Sequence, residues 1–128
     1  MIADTTFLID LGRGDTGALK KINELNANND PLAITAITIF ELFQGSNEFG
    51  TKNFKIFTTL AGNALVIPLE HDTAKAAGII NRNLSKAGAK LEALDCLIAG
   101  IVLLGNDVLL TRNLKHFSRI EGLKLETY

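Results

Sequence analysis

A chain of 128 residues makes one domain of ordinary size, large enough to fold without a disulfide or a structural metal. Its content of 47% hydrophobic and 21% charged residues excludes an intrinsically disordered chain. Thirteen Lys and Arg against fourteen Asp and Glu leave a net charge of -1. That balance excludes a polybasic protein held to nucleic acid by bulk charge, though not a nucleic-acid enzyme with a small local site.

Residues 2–4 read as a very short strand, and residues 5–11 as a first helical turn or two before Gly12 and Gly14 break the pattern. Residues 15–28 fit a helix capped by Asp15 or Thr16, with Ala18, Leu19, Ile22 and Leu25 on one face. A turn at residues 28–31 ends in Pro31 and leads into a buried strand over residues 32–35. Thr38 can cap a helix that runs through Phe43 to Gly45. Residues 49–60 repeat a helical pattern, and residues 64–67 form a third strand. Asp72 or Thr73 opens an Ala-rich helix that ends near Gly88. Residues 94–104 form the most apolar helix, residues 108–111 a fourth strand, and residues 123–126 a candidate fifth. Short apolar strands alternating with helices predict an α/β fold with a mostly parallel sheet covered by helices on both faces.

The single Cys96 excludes an intrachain disulfide framework and suits a reducing compartment. The longest apolar run, residues 96–105, is far short of the roughly 20 residues that span a bilayer. The opening Met1-Ile2-Ala3-Asp4 carries no basic leader, so a soluble cytoplasmic protein without membrane contact is expected. With no Trp and one Tyr, base recognition by aromatic platforms is disfavoured.

The placement of the acids is more informative than their number. Asp4 is the only charge in residues 1–9, Glu41 the only one between Asp30 and Glu48, and Asp95 the only one between Glu92 and Asp107. Burying a lone carboxylate costs several kcal/mol unless it is paired or ligates a metal. Each acid also has a plainer role open to it. Asp4 can cap the helix that follows, Glu41 can face solvent, and Asp95 can complement a helix dipole. Together they suggest more, because ligands of open α/β sheets gather at the carboxyl ends of the strands. Like charges meeting there call for a hard divalent cation, and oxygen ligands without a His or Cys cluster suit Mg²⁺ or Mn²⁺. Thr111 and Asn113, just past the fourth strand, are expected at the same edge, where they can orient a water or a carboxylate or simply end the strand in a turn.

Four segments then match a family. Asp4-Thr5-Thr6-x-Leu8-Ile9 resembles the opening D-T-[SN]-x-L-I of PIN-domain ribonucleases, with Thr6 where Ser or Asn is usual. Glu41-Leu42-Phe43-Gln44-Gly45 resembles their E-L-x-x-G, and Asp95-Cys96-Leu97-Ile98-Ala99 their D-x-x-I-A. The stretch from Thr111 to Phe117, followed by Gly122-Leu123, is similar to the T-x-[DN]-x-x-x-F and G-L ending of VapC toxins. Any one of these is weak; four in order along the chain are specific.

The resemblance implies a single PIN-like domain over residues 1–128, with a three-layer α/β/α architecture around a short sheet of four to five strands. It implies a Mg²⁺- or Mn²⁺-dependent endoribonuclease, the toxin of a type II pair, usually homodimeric and inhibited by a VapB-type antitoxin. The acidic cluster carries over to Asp4, Glu41 and Asp95 as catalytic and metal-binding residues. The fourth acidic position falls on Asn113, which leaves one fewer charge; Glu92 either compensates or is a surface residue. Thr5, Thr6 and Thr111 support the carboxylates.

Arg112 and Lys115, near His116 and Arg119, are candidates for RNA phosphates or for a solvated helix face. His116 reads as a structural or solvent residue, Cys96 as packed core, Asp10 as solvent-exposed and Asp107 as a turn residue. Phe40, Phe43, Phe49, Phe54 and Phe57 offer an apolar groove for an antitoxin helix or a dimer partner, or ordinary core. Two rival functions remain. A haloacid-dehalogenase-type phosphatase wants D-x-D, whereas Thr6 stands at the second position after Asp4. A catalytically weak PIN-like interaction module is left open by Asn113.

Overall fold

The structure is a computed structural model that describes residues 1–45 and 50–128, apart from the side chains of residues 50–54, 57 and 61. Along the chain run β1 (Ile2–Ala3), α1 (Thr5–Arg13), α2 (Thr16–Ala27), β2 (Ala33–Thr35), α3 (Ala36–Gln44) and α4 (Gly50–Asn63). They are followed by β3 (Leu65–Ile67), α5 (His71–Lys86), α6 (Ala93–Leu104), β4 (Val108–Leu110), α7 (Leu114–Phe117) and β5 (Lys124–Glu126).

The five strands form one sheet in the order β3-β2-β1-β4-β5, and every pairing is parallel. Successive side chains of a strand point to opposite faces, and the core divides accordingly. Ile2, Ala33 and Leu109, which lie in register, join α5 and α6 residues such as Ala77, Leu84, Ile98 and Val102 in one cluster. Ala3, Ile34 and Leu110 face the other way, onto Phe7, Leu8, Ala18, Leu25 and Leu42 from α1, α2 and α3. Two cores on two faces of one parallel sheet make a three-layer α/β/α arrangement, as expected from the alternation of elements.

Local signals set most boundaries. Asp4 caps α1 by accepting from the Thr5 amide at 2.7 Å, and Asp15 caps α2 by accepting from the Ala18 amide at 3.0 Å. Gly14 ends α1 at φ 77°, a left-handed conformation that favours glycine. Two caps differ from expectation. Thr35, not Thr38, caps α3: its hydroxyl accepts from the Thr38 amide at 3.1 Å, so the helix begins two residues before Thr38. At α5, Thr73 accepts from the amide of Glu70 at 2.8 Å, so the helix opens at His71 rather than at Asp72 or Thr73.

The sheet order carries the functional consequence. From β1 the chain moves outward through β2 and β3, then returns to place β4 on the other side of β1. The reversal opens a crevice at the carboxyl ends of β1 and β4, where α/β sheets take their ligands. Asp4 follows β1 and Thr111 follows β4, and the Asp4 amide donates to the Leu110 carbonyl at 3.0 Å.

Candidate active site

Asp4 sits at the floor of that crevice, only 4% exposed, and three donors from its own chain satisfy it. One carboxylate oxygen takes the Thr5 amide at 2.7 Å; the other takes the hydroxyls of Thr6 at 2.9 Å and Thr111 at 2.7 Å. A hydrogen bond to a charged acceptor contributes about 1.5–3 kcal/mol, so three of them offset the cost of burying this acid. The side chain that caps α1, as the sequence allows, is therefore also one that lines the cleft.

Glu41 reaches the crevice from α3, where its carboxylate accepts the Thr5 hydroxyl. Burial raises its pKa above 4.5, and the charges of Asp4, Asp95 and Glu92 raise it further, against the Thr5 hydrogen bond. Asp95 enters from the first turn of α6. Burial, then the charge of Asp4, holds its pKa above 3.8. Thr111 links the acids to the far side: while donating to Asp4, it accepts the Asn113 amide at 2.9 Å.

These residues line one open cleft of about 460 Å³, with Asp4, Thr5, Thr6, Glu41, Glu92, Asp95 and Asn113 on its walls. Thr111, fully buried, supports the floor from behind. The residues singled out as carboxylate cluster and supports are thus brought together from β1, α1, α3, α6 and the loop after β4. Glu92 joins them as the residue preceding α6, and it is exposed at the rim.

The lining is an all-oxygen donor set with repelling carboxylates, a combination that fits Mg²⁺ or Mn²⁺ rather than zinc. Among the described residues, no three His, Cys, Asp or Glu side chains converge as a ready-made metal cage. Mg²⁺ does not require one, since it keeps several waters and binds through one or two carboxylates together with substrate phosphates.

Two residues expected at an RNA rim are placed differently. Lys115 is exposed on α7. Arg112 is not part of the cleft wall. Its guanidinium pairs with Asp10 at 2.9 Å and Asp15 at 2.6 Å, and lies 4.4 Å from the centre of the Tyr128 ring. Asp10 was expected in solvent; it is half-buried because it also takes the Tyr128 hydroxyl at 2.9 Å. No short-range signal marks this cluster, whose members lie about a hundred residues apart in the chain. Cys96 is buried as expected, and burial pushes its thiol up, away from reactivity. Phe40 and Phe43 on α3 are about half exposed, while Phe49 and the side chains of Phe54 and Phe57 lie outside the described residues.

The sequence profile of the PIN domain matches residues 1–123. Among characterised proteins, the chain is 28% identical over 123 residues to ribonuclease VapC19 of Mycobacterium tuberculosis, covering 96% of both chains. It is 27% identical over 105 residues to the tRNA(fMet)-specific endonuclease VapC of Salmonella typhimurium, covering 80% of each. Among solved structures, VapBC2 of Rickettsia felis bound to a promoter DNA fragment superposes with a TM-score of 0.86 at 25% identity, over 99% of this chain and 97% of that one. VapBC-1 of nontypeable Haemophilus influenzae superposes with a TM-score of 0.82 at 26% identity, over 98% and 96%.

Proposed function

The chain belongs to the PIN-domain family, and on that premise we propose that it is a divalent-metal-dependent endoribonuclease, the toxin of a VapBC-type pair. The observation that carries this reading is the gathering of Asp4, Glu41 and Asp95 around one open cleft at the sheet's carboxyl edge. Relatives named as ribonucleases, aligned over most of both chains, support the RNA substrate. Solved toxin–antitoxin complexes with the same fold support a VapB-type partner. Residues 1–128 are read as one PIN-like domain. Among the described residues no helix is long and apolar enough to cross a membrane, which accords with action on RNA in the cytoplasm.

In this reading Asp4 and Asp95 hold Mg²⁺ or Mn²⁺, directly or through waters, and Glu41 ligates or accepts a proton. When bound, the ion lowers the pKa of a coordinated water and offsets charge on the phosphate undergoing in-line attack. Thr6 and Thr111 fix the Asp4 carboxylate, and Thr5 aims that of Glu41. Asn113 orients the attacking water. Lys115 meets RNA phosphates at the rim, a role for which Arg112 is less accessible while it is paired. The exposed Phe40 and Phe43 offer apolar surface to the antitoxin or to a second copy in a homodimer.

The decisive experiment is cleavage of an RNA oligonucleotide with Mn²⁺ present and after chelation. Asp4→Asn, Glu41→Gln and Asp95→Asn each lower the rate by at least about 100-fold while the fold, followed by circular dichroism, is kept. A wild-type chain that neither cleaves RNA nor binds Mn²⁺ would identify the protein as an interaction module built on the same fold.

A further inference from the structure

Asn113 occupies the position before α7, where an Asn side chain normally accepts an amide proton from the first helical turn. It makes no such cap. Its Nδ2 instead lies 2.9 Å from Nδ1 of His116, one helical turn further along. The same Nδ1 is 3.6 Å from an Asp95 carboxylate oxygen, beyond hydrogen-bond reach, so the Asn113 amide is its nearer partner. Phe117, fully buried beside His116, anchors this short helix against the sheet. A chain of hydrogen bonds therefore runs from Asp4 through Thr111 and Asn113 to His116.

An amide has one donor end and one acceptor end, and in a cleft walled by carboxylates the donor end is drawn inward. Turned that way, Asn113 would present hydrogens to a site that needs an oxygen for a cation or a water. An aspartate at this position would present oxygen in either orientation. We propose that His116 is a positioning residue: by accepting the Asn113 Nδ2–H at Nδ1, it turns the amide so that Oδ1 faces the cleft. The Asn–His pair then supplies the neutral oxygen donor that replaces a fourth acid. The inference rests on the nuclease reading above, and it concerns only how Asn113 is oriented.

The test is Mn²⁺ affinity by titration calorimetry, run beside kcat and KM on an RNA oligonucleotide. Outer contacts that orient metal ligands change affinity or activity by about 10–100-fold. His116→Phe, which keeps the ring but lacks an acceptor, weakens Mn²⁺ binding by about ten-fold and lowers kcat similarly, with KM unchanged. His116→Asn, whose side-chain oxygen overlies imidazole Nδ1, restores both to within about two-fold. In an Asn113→Asp background, His116→Phe changes Mn²⁺ affinity by less than about two-fold, because either carboxylate oxygen serves. An equal loss in both backgrounds, or no loss beside a native Asn113, overturns the positioning role while wild-type Mn²⁺ binding leaves the nuclease reading standing. Wild-type protein that neither binds Mn²⁺ nor cleaves the RNA overturns both.

Discussion

Asp4 caps a helix, closes a network of two threonines and faces the cleft, all with one carboxylate. Glu41 and Asp95 have fewer partners and are held above the ordinary carboxylate range by burial and by neighbouring acids. This difference has a measurable consequence. Both groups bind a proton more tightly folded than unfolded, so stability falls as pH rises from their ordinary values through the raised ones, and the full cost persists above them. In chelated buffer Asp95→Asn therefore unfolds at a higher temperature than wild type at pH about 8, by roughly 2–5 °C for each ~1 kcal/mol relieved. Toward pH about 3 the difference narrows, since the native carboxyl takes up its proton before the unfolded one does. Thermal melts at the two pH values check this; a variant less stable at both would assign Asp95 a structural role. The lone acids were legible as costly in sequence because Lys90 is the only basic residue near any of them in the chain. Their common cleft was not, since it depends on contacts between residues up to 107 positions apart.

At the scale of elements, the close packing of α5 on α6 covers one face of the sheet. A Cβ on Gly100 would stand 2.8 Å from the Thr73 carbonyl and 2.9 Å from the Ala77 amide, both backbone atoms that cannot turn aside. Gly100→Ala is expected to cost about 1–3 kcal/mol, seen as a lower midpoint in urea with an unchanged slope. The second element-scale device is the clamp of Arg112 on Asp10, Asp15 and Tyr128, which ties the segment after β5 to α1 and α2. Burial and the bond to Asp10 push the Tyr128 hydroxyl up, so the clamp keeps its donor across neutral pH. Arg112→Ala should lower the melting temperature, leaving the salt dependence of RNA binding unchanged. A slope shallower by about one unit would show that Arg112 also neutralises a phosphate. Helix and strand positions were readable from apolar periodicity and caps. The clamp was hidden because Asp10, Arg112 and Tyr128 meet only after β1 and β4 pair.

For the whole molecule, a net charge of -1 gives little nonspecific attraction for RNA. Under the proposed function, recognition comes from the rim, the metal and a partner rather than from bulk charge. A cation that binds only the folded chain stabilises it by mass action, by about 2.7 kcal/mol at a concentration one hundred times Kd. Mn²⁺ should thus raise the melting temperature of the wild-type protein and leave that of Asp4→Asn nearly unchanged. An equal rise in both would place the ion elsewhere on the surface.

The amino-acid sequence by itself determined the α/β alternation, most element boundaries and the identity of three acids too costly to bury without a use. These rest on period, capping and desolvation, which act over a few residues. Tertiary structure alone decided that the chain reverses across β1, so that β4 brings Thr111 to Asp4, and Arg112 to Asp10 and Asp15. Such pairings depend on strand order, which no local signal encodes.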